Sequence, residues 1–267
     1  MPSRYPKLLS IIIPVYKQEA TVAADLRRVL TELEQIPIPF EIIAVIDGRK
    51  DGSFETARKV RSPKLTVVGY KTNHGKGYAV RYGMVKSHGD IIGFMDAGGD
   101  LKEEGLSMML EHMRWYNADI IIGSKRHPVS KVNYPIWRRI LSWGYQIIVK
   151  LLFGLNIRDS QVGMKIYRRG VLEDVFPRLL IKQFAFDIEI LAVAHHLGYT
   201  RIFEAPIELD FSGMSSITSL NLWRVMWSML VDTMAVFYRL KILRYYDNTN
   251  KRKWRFDPEL NFRVNIG

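Results

Sequence analysis

The chain has 267 residues, of which 48% are hydrophobic and 25% are charged, so it is long enough to bury a substantial core. It contains no cysteine, which excludes disulfides, thiolate nucleophiles and cysteine-ligated zinc sites. Its formal net charge of +12 predicts an anionic partner, and nucleic acid, acidic lipid and a phosphorylated substrate all remain open. The apolar run near the amino terminus, residues 8–13, is too short for a secretory signal, so we expect no export by that route.

Short apolar runs alternate with helical patterns along the first half of the chain. Five apolar runs have the length and composition of buried strands, at residues 8–14, 40–46, 65–70, 90–95 and 120–123. Apolar residues at helical spacing predict helices between these runs, at residues 20–33, 53–61, 78–87 and 106–116. Such alternation is typical of a mostly parallel α/β sheet covered on both faces, in which ligands bind at the carboxyl ends of the strands.

Two aspartates follow the fourth predicted strand. Asp96 ends an apolar run, and after Ala97 two glycines precede Asp100. Two carboxylates at a strand end suit a divalent metal that carries a phosphorylated substrate, and the glycines would let that substrate approach the backbone. A solvated Asp-Gly turn is the alternative interpretation of the same residues.

The first three predicted strands also end in residues that suit a nucleotide. The first leads into the loop Pro14–Glu19, which can present backbone groups and Glu19 to a ligand. The second ends at Asp47, whose carboxylate can accept hydrogen bonds from the N–H donors of uracil or guanine. After the third, Gly75–Gly77 opens a predicted helix, where backbone N–H groups favour a phosphate and Lys76 adds positive charge.

The second half of the chain is basic and contains two amphipathic segments. Residues 124–182 contain 12 Lys and Arg against 3 Asp and Glu, a net charge of +9. In residues 137–152 and 217–243, apolar side chains recur on one helical face. Arg224 and Asp232 argue against a transmembrane span, since each would cost about 2.5–3.5 kcal/mol near a bilayer centre. We therefore predict helices that lie in a membrane interface, and helices that only cover the core are the alternative.

In this order the segments resemble glycosyltransferase family 2, whose members have the GT-A fold. The motifs that match are Ile13-Pro-Val-Tyr, Asp47-Gly, Asp51-Gly-Ser, Asn73-His-Gly-Lys-Gly and Asp96…Asp100-Leu. The second half is similar to polyprenyl-phosphate hexosyltransferases, which include dolichyl-phosphate mannosyl- and glucosyltransferases. The motifs there are Gly123-Ser-Lys, Arg138-Arg-Ile-Leu-Ser, Asp159…Arg168, Phe186-Asp-Ile-Glu and Glu204-Ala-Pro-Ile.

The resemblance implies a role for thirteen positions of this chain. The residues implied to bind the nucleotide-sugar are Pro14, Tyr16, Glu19, Asp47, Lys76 and Ala97. The residues implied to be catalytic are Asp96 and Asp100, which would hold Mg²⁺ or Mn²⁺, and Asp187, for which a structural role is the alternative. The residues implied to bind an acceptor phosphate are Lys125, Arg126, Arg138 and Lys165.

These features together predict the domain organisation. Residues 1–213 are expected to form a Rossmann-like GT-A domain, with a nucleotide-sugar half at 1–123 and an acceptor half at 124–213. Residues 214–246 are expected to form amphipathic membrane-interface helices, and residues 247–267 a basic tail.

The resemblance implies an inverting, metal-dependent transfer of a hexose from a nucleoside-diphosphate sugar to a polyprenyl phosphate. UDP-glucose is favoured as the donor, with GDP-mannose as the alternative. The protein is expected to be cytoplasmic and peripheral on the cytoplasmic face of a membrane. Three alternatives stay open: a family 2 enzyme with another glycan or glycolipid acceptor, a catalytically silent relative that binds nucleotide-sugar or lipid, and a nucleic-acid-binding protein.

Overall fold

The structure is a computed structural model, and it describes residues 6–95, 103–124, 136–158, 163–181, 185–206, 219–249, 254–258 and 262–265. The first half of the chain contains β1 (Leu9–Val15), α1 (Val22–Glu34), β2 (Phe40–Asp47), α2 (Ser53–Arg58), β3 (Leu65–Tyr70), α3 (Lys76–Lys86), β4 (Ile91–Phe94), α4 (Glu103–Trp115) and β5 (Ile120–Ser124). The five strands and four helices predicted there are confirmed, with boundaries that differ by at most three residues.

The second half of the chain is richer in helix. Its elements are α5 (Ile136–Phe153), β6 (Lys165–Arg168), α6 (Arg169–Val175), α7 (Phe186–His196), β7 (Ile202–Pro206), α8 (Ser219–Phe237), β8 (Trp254–Asp257) and β9 (Phe262–Asn265). A 3₁₀ turn at Phe176–Arg178 follows α6, and a π-helical turn at Tyr238–Ile242 continues α8.

Seven strands form the central sheet, in the order β3-β2-β1-β4-β6-β5-β7. Six of them are parallel to one another, and β6 is antiparallel to both of its neighbours, β4 and β5. The predicted α/β fold with a mostly parallel sheet is therefore confirmed. Because β6 belongs to the predicted acceptor half and lies between two strands of the predicted nucleotide-sugar half, one sheet runs through both halves.

The hydrophobic core is divided by the sheet into two layers, because successive side chains of a strand point to opposite faces. Ile11 of β1 packs in the layer that contains the buried stripe of α1, with Leu26 and Leu33 at its centre. Ile12 packs in the other layer, which contains residues of α3 and α5–α8, including the fully buried Phe186. Fully burying an aliphatic side chain such as that of Ile11 or Leu26 stabilises the fold by about 1.5–3 kcal/mol.

Helices α5 and α8 each bury one face and expose another that is also apolar. On α5, Val149 and Phe153 are buried, whereas Trp143 is 63% exposed. Helical spacing alone assigns Gln146 to the polar, exposed face of α5, but the structure buries it. The stripe that spacing predicts is therefore rotated, and the side chains that face solvent include large apolar ones. Within the described residues, no helix combines the length and the hydropathy that crossing a bilayer would require.

The segment after α8 packs into the main core. Tyr245 and Tyr246 are buried in the same layer as α7, together with Val236 of α8 and Leu240 of the π-helical turn. The described part of the predicted interface region, 219–246, therefore shares its core with the predicted GT-A domain. Within the predicted basic tail, β8 and β9 form an antiparallel pair.

Candidate active site

The carboxyl ends of the six parallel strands lie along one side of the sheet, named here the carboxyl edge. Because β6 runs antiparallel, its first residue, Lys165, lies at this edge and pairs with Phe94 at the end of β4. The first turns of α3 and α7 meet there, since a Cβ on Gly77 of α3 would lie only 2.7 Å from Cδ2 of Phe186 in α7. The carboxyl edge therefore brings together residues that are far apart in the sequence.

The loop after β1 is joined to the loop after β2. The carboxylate of Glu19 accepts a hydrogen bond of 2.9 Å from the N–H of Gly52, and Asp51 accepts one of 3.2 Å from the N–H of Glu19. Among the predicted donor-binding residues of the first loop, Pro14 is half-buried and Tyr16 is 44% exposed. Tyr16 is thus accessible to a nucleotide, whereas the carboxylate of Glu19 is engaged within the protein.

Asp47, at the end of β2, is buried and organises the loop that precedes α3. Its carboxylate accepts hydrogen bonds from the backbone N–H of His74 at 2.7 Å, the N–H of Gly75 at 2.9 Å and the side-chain amide of Asn73 at 2.8 Å. Gly75 has a φ of 92°, a conformation that favours glycine. These donors, together with the nearby hydroxyl of Tyr70, fix the Asp47 carboxylate at the end of β2.

An aromatic cluster packs beside Asp47. Tyr70, at the end of β3, contacts the rings of His74, Tyr78 and Tyr82, with ring centroids 5.1–5.3 Å apart. Burial, and secondly the Asp47 carboxylate, raise the pKa of the Tyr70 hydroxyl far above its ordinary value. Tyr70 therefore stays protonated, and the cluster packs against the loop that precedes α3.

Lys76, Lys165 and Asp187 form a connected group of charges at the carboxyl edge. The ammonium of Lys165 lies 2.7 Å from Oδ1 of Asp187, and the ammonium of Lys76 lies 3.8 Å from Oδ2. The side chain of Lys165 is 1% exposed, that of Asp187 8% and that of Lys76 27%. Sequence reasoning gave these residues three separate roles, and the structure brings all three side chains together.

The electrostatics of this group favour an ionised Asp187. Burial opposes its ionisation, but Lys165 and then Lys76 outweigh burial and lower the pKa of Asp187 below its ordinary value of 3.8. A general base works best when its pKa is close to the working pH, so this environment makes Asp187 a weak base. Its chemistry here is that of a counter-charge for the two lysines.

Glu189, two residues after Asp187, is fully buried and holds a second set of contacts. Its carboxylate accepts hydrogen bonds from the N–H groups of Leu180 and Ile181 and, at 2.7 Å, from the hydroxyl of Tyr246. Burial raises the pKa of Glu189, although these hydrogen bonds oppose that increase. Sequence reasoning did not foresee the contact with Tyr246. The signal in the sequence is that Glu189 interrupts the apolar run of α7, because a buried acid needs hydrogen-bond donors.

Several predicted site residues lie outside the part of the chain that the structure describes. They are Asp96, Ala97, Asp100, Lys125 and Arg126. Arg138 lies in the first turn of α5. Among the described residues, no group of three or more His, Asp or Glu side chains has the proximity needed to hold a metal ion. Met95, the residue before Asp96, is buried and donates its N–H to the carbonyl of Ile12 in β1, 3.1 Å away.

Solved structures with this fold include sugar-transferring enzymes. Mannosyl-3-phosphoglycerate synthase from Rubrobacter xylanophilus matches with a TM-score of 0.68 and 15% identity, over 88% of this chain and 74% of that protein. Glucosyl-3-phosphoglycerate synthase from Mycobacterium tuberculosis, solved with Mn²⁺, UDP and phosphoglyceric acid, matches with a TM-score of 0.64 and 14% identity, over 86% and 78%. At these identities the matches show the fold, and they confirm the GT-A architecture.

Sequence relatives are more specific. A dolichyl-phosphate beta-glucosyltransferase of Drosophila melanogaster is 32% identical over 205 residues, or 71% of this chain and 63% of the relative. The human protein of the same name is 31% identical over 75% of this chain and 65% of the relative. An undecaprenyl-phosphate mannosyltransferase of Micrococcus luteus is 30% identical over 76% of this chain and 86% of the relative. This chain spans a little under two thirds of the length of the two dolichyl-phosphate relatives.

The match to a whole family agrees with these individual relatives. The model of the family described as Glycosyl transferase family 2 matches residues 10–176, which include nearly all of β1, the strands β2 to β6, and the site residues Asp47, Lys76 and Lys165. The relatives act on polyprenyl phosphates by name, as the sequence resemblance implied. The chain therefore belongs to glycosyl transferase family 2.

Proposed function

We propose that the protein transfers a hexose from a nucleoside-diphosphate sugar to a polyprenyl phosphate, on the cytoplasmic face of a membrane and with inversion at the anomeric carbon. UDP-glucose is the favoured donor and GDP-mannose the alternative. The observation that supports this function best is the site at the carboxyl edge, where Asp47 fixes the loop before α3 and Lys76 opens that helix. The names of the dolichyl- and undecaprenyl-phosphate relatives support the acceptor class.

The donor would bind across the ends of β1, β2 and β3. Asp47 would accept a hydrogen bond from the base, and the exposed ring of Tyr16 would contact the nucleoside. The backbone N–H groups and the positive dipole end of α3 attract a diphosphate, and Lys76 adds a point charge beside them. This arrangement suits the donor half of the reaction without a glycine-rich loop of the Walker type.

A divalent cation would be held by Asp96 and Asp100, which follow β4. Mg²⁺ and Mn²⁺ prefer carboxylate oxygens, and the donor set of this segment suits them. When bound, the cation would act as a Lewis acid that stabilises the negative charge of the leaving diphosphate. The Mycobacterium tuberculosis structure with Mn²⁺ and UDP supports a cation for this fold.

The acceptor would be bound by the basic segment 124–182. Lys125, Arg126 and Arg138 are proposed to hold its phosphate near the donor, where two like-charged groups must approach one another. The second pKa of a phosphate monoester is near ~6, so the acceptor is largely dianionic at neutral pH and attacks with little help from a base. Direct displacement by that oxygen would invert the anomeric centre.

A membrane surface would supply the lipid acceptor. Large apolar side chains are exposed on the outer faces of α5 and of α8 with its π-helical turn: Trp143, Ile147, Leu151, Trp227, Val231, Met234, Tyr238 and Ile242. Tyr145 of α5 and Thr233 of α8 are hydrogen-bonded at 2.9 Å, so the two helices are neighbours. Exposed tryptophans on basic, amphipathic helices support an orientation in the plane of the interface.

The test is a transfer assay with the purified chain, Mn²⁺ or Mg²⁺, UDP-glucose or GDP-mannose, and a short polyprenyl phosphate. We expect release of UDP or GDP and formation of a hexosyl phosphoryl polyprenol. Asp100→Ala should abolish turnover while the fold persists, whereas Asp90→Ala, at the opposite end of β4, should keep most of it. Full turnover by Asp100→Ala would refute the proposed metal site.

The same assay separates the donor from the acceptor. Arg138→Ala should raise the KM for the polyprenyl phosphate more than the KM for the nucleotide-sugar, since its guanidinium is proposed to meet only the acceptor. The reverse pattern would contradict that role. Transfer to a glycan or glycolipid instead would support a different family 2 acceptor, and nucleotide binding without any transfer would indicate a silent relative.

A further inference from the structure

The two lysines at Asp187 are not equivalent. Lys165 is almost fully buried and contacts Oδ1 at 2.7 Å, whereas Lys76 is the most exposed of the three side chains and lies 3.8 Å from Oδ2. The shorter and better desolvated contact is the stronger one, because Coulomb attraction grows as distance and local dielectric fall. Asp187 is therefore neutralised mainly by Lys165.

Lys165, and secondly Lys76, are the positive charges that lower the pKa of Asp187. Tyr145 donates or accepts a hydrogen bond with Thr233, and the hydroxyl of Tyr167 is fully buried. Burial raises the pKa of both tyrosines, so both stay neutral. One carboxylate thus lies between two ammonium groups, and Lys76 is the more exposed of the two lysines.

We infer that Lys165 is the counter-charge of Asp187, and that it leaves Lys76 able to bind the diphosphate of the donor. Without Lys165, the buried carboxylate would draw the ammonium of Lys76 closer to itself and away from the ligand. This inference rests on the proposed donor site. It gives Lys165 a positioning role in place of direct binding to an acceptor phosphate, since an ammonium with a 1% exposed side chain is enclosed by protein.

The place of Lys165 in the fold explains why it is suited to this role. Lys165 is the first residue of the antiparallel strand β6. Because β6 is paired with β4 on one side and β5 on the other, the backbone of Lys165 is held within the sheet. Asp187 lies in the first turn of α7, where the helix dipole also favours a negative charge. A rigid strand and a helix start thus fix the carboxylate, while Lys76 extends from α3 toward solvent.

The test measures the Kd for UDP and for GDP in the presence of Mn²⁺, in the wild type and in three variants. Lys165→Met should weaken binding about fivefold, the size of a typical coupling between contacting charges. Asp187→Asn should bind no more weakly than the wild type, because Lys76 loses its competitor. The double variant Lys165→Met/Asp187→Asn should return to within about twofold of the wild type, since two matched neutral groups replace the ion pair.

Rescue by the double variant is the outcome that a purely structural role would not produce. If the double variant binds as weakly as Lys165→Met, then Lys165 contacts the ligand directly and the inference is overturned. An unchanged Kd in Lys165→Met overturns it as well. If Lys165→Met does not fold, the double variant decides alone, because it leaves no buried charge unpaired: a Kd near that of the wild type supports the inference, and a fivefold weakening overturns it.

The binding experiment is independent of turnover. If the variants follow the expected pattern but no hexose reaches a polyprenyl phosphate, the acceptor part of the proposed function fails and the role of Lys165 stands. If transfer occurs but the double variant shows no rescue, the proposed function stands and the role of Lys165 fails.

Discussion

Three buried acids near the carboxyl edge are compensated in three different ways. Asp47 accepts two backbone N–H groups and one side-chain amide, Asp187 is paired with two lysines, and Glu189 accepts two backbone N–H groups and one hydroxyl. An ionised carboxylate is costly to bury unless such partners meet it. Each acid therefore fixes the segment that supplies its donors: the loop before α3, the start of β6, and the segment before α7.

The first prediction concerns the hydrogen bond that the hydroxyl of Tyr246, in the segment after α8, donates to Glu189. Tyr246→Phe keeps the buried ring but removes the hydroxyl that donates to the carboxylate, so a buried acceptor loses its partner. We expect the free energy of unfolding to fall by about 1–3 kcal/mol, measured by urea denaturation. Tyr238→Phe is the matched control, because Tyr238 is 53% exposed, and it should change stability by less than ~0.5 kcal/mol. Equal effects of the two variants would contradict the assigned contact.

The second prediction concerns the pH dependence that Asp187 gives to stability. The folded pKa of Asp187 lies below its ordinary value of 3.8, so the unfolded chain binds its proton more readily. The stabilisation is therefore complete above the ordinary pKa and is lost as the pH falls through the folded pKa. We expect the difference in Tm between wild type and Asp187→Asn to be constant from about pH 7 to 5 and to shrink below about pH 4. A difference that is the same at pH 3 and pH 7 would contradict the ion pair.

At the scale of elements, the carboxyl edge depends on the close approach of α3 and α7. A Cβ on Gly77 would lie 2.7 Å from Cδ2 of Phe186 and 2.8 Å from the backbone carbonyl of Ile181. Because the second contact is with backbone, a side-chain rotation cannot relieve it. The same crossing sets the distance between Lys76 and the first turn of α7.

The third prediction tests that crossing. Gly77→Ala should lower the free energy of unfolding by about 1–3 kcal/mol, as overpacking of a well-packed core does, and should weaken nucleotide binding as α3 moves away. Gly170→Ala in α6 is the matched control, because a Cβ there would meet nothing within 4 Å. That control should be neutral or should stabilise the helix by about 0.5–1 kcal/mol. Urea denaturation of the two variants checks the expected changes in stability, and the Kd for UDP checks the expected change in nucleotide binding.

Local patterns predicted the five parallel strands and four helices of the first half well, because each is a continuous apolar run or a clear helical stripe, but they did not predict the parallel strand β7. They did not reveal β6, since its four residues include two basic ones and its place between β4 and β5 depends on long-range pairing. The ion pair of Lys165 with Asp187 follows from that placement and has no local signal. The positions of Asp47 and Lys76 at one edge were predictable, because parallel strands bring their carboxyl ends together.

At the scale of the whole molecule, the segment that follows α8 packs against the core layer that contains α7 instead of extending away from it. The backbone carbonyl of Tyr246 accepts a hydrogen bond from Arg178 at 3.0 Å, and His196 of α7 lies 2.6 Å from Asp247. Sequence reasoning identified the amphipathic character of α8 but not these anchors, because they join residues about 50 to 70 positions apart. The outer faces of α5 and α8 are thereby held in a fixed relation to the core that contains α7.

The last prediction is that these outer faces bind a membrane. The molecule carries a net charge of +12, and each basic residue near an anionic surface contributes about 1 kcal/mol, so binding should need acidic lipid and weaken in high salt. The chain should co-sediment with vesicles of phosphatidylcholine and phosphatidylglycerol. Trp227→Glu, which places a charge where a 70% exposed tryptophan now lies, should reduce the partition coefficient at least about tenfold.

The control for this measurement is Trp115→Glu, at the end of α4, because Trp115 is 62% exposed but lies on neither α5 nor α8. Its partition should match that of the wild type, since a charge on a surface away from the interface costs no buried apolar area. If both variants lose binding equally, adsorption depends on overall hydrophobicity and charge, and the oriented interface is wrong. Loss in Trp227→Glu alone, with an unchanged Tm, would tie the membrane surface to α8, whose Val236 packs in the same core layer as α7.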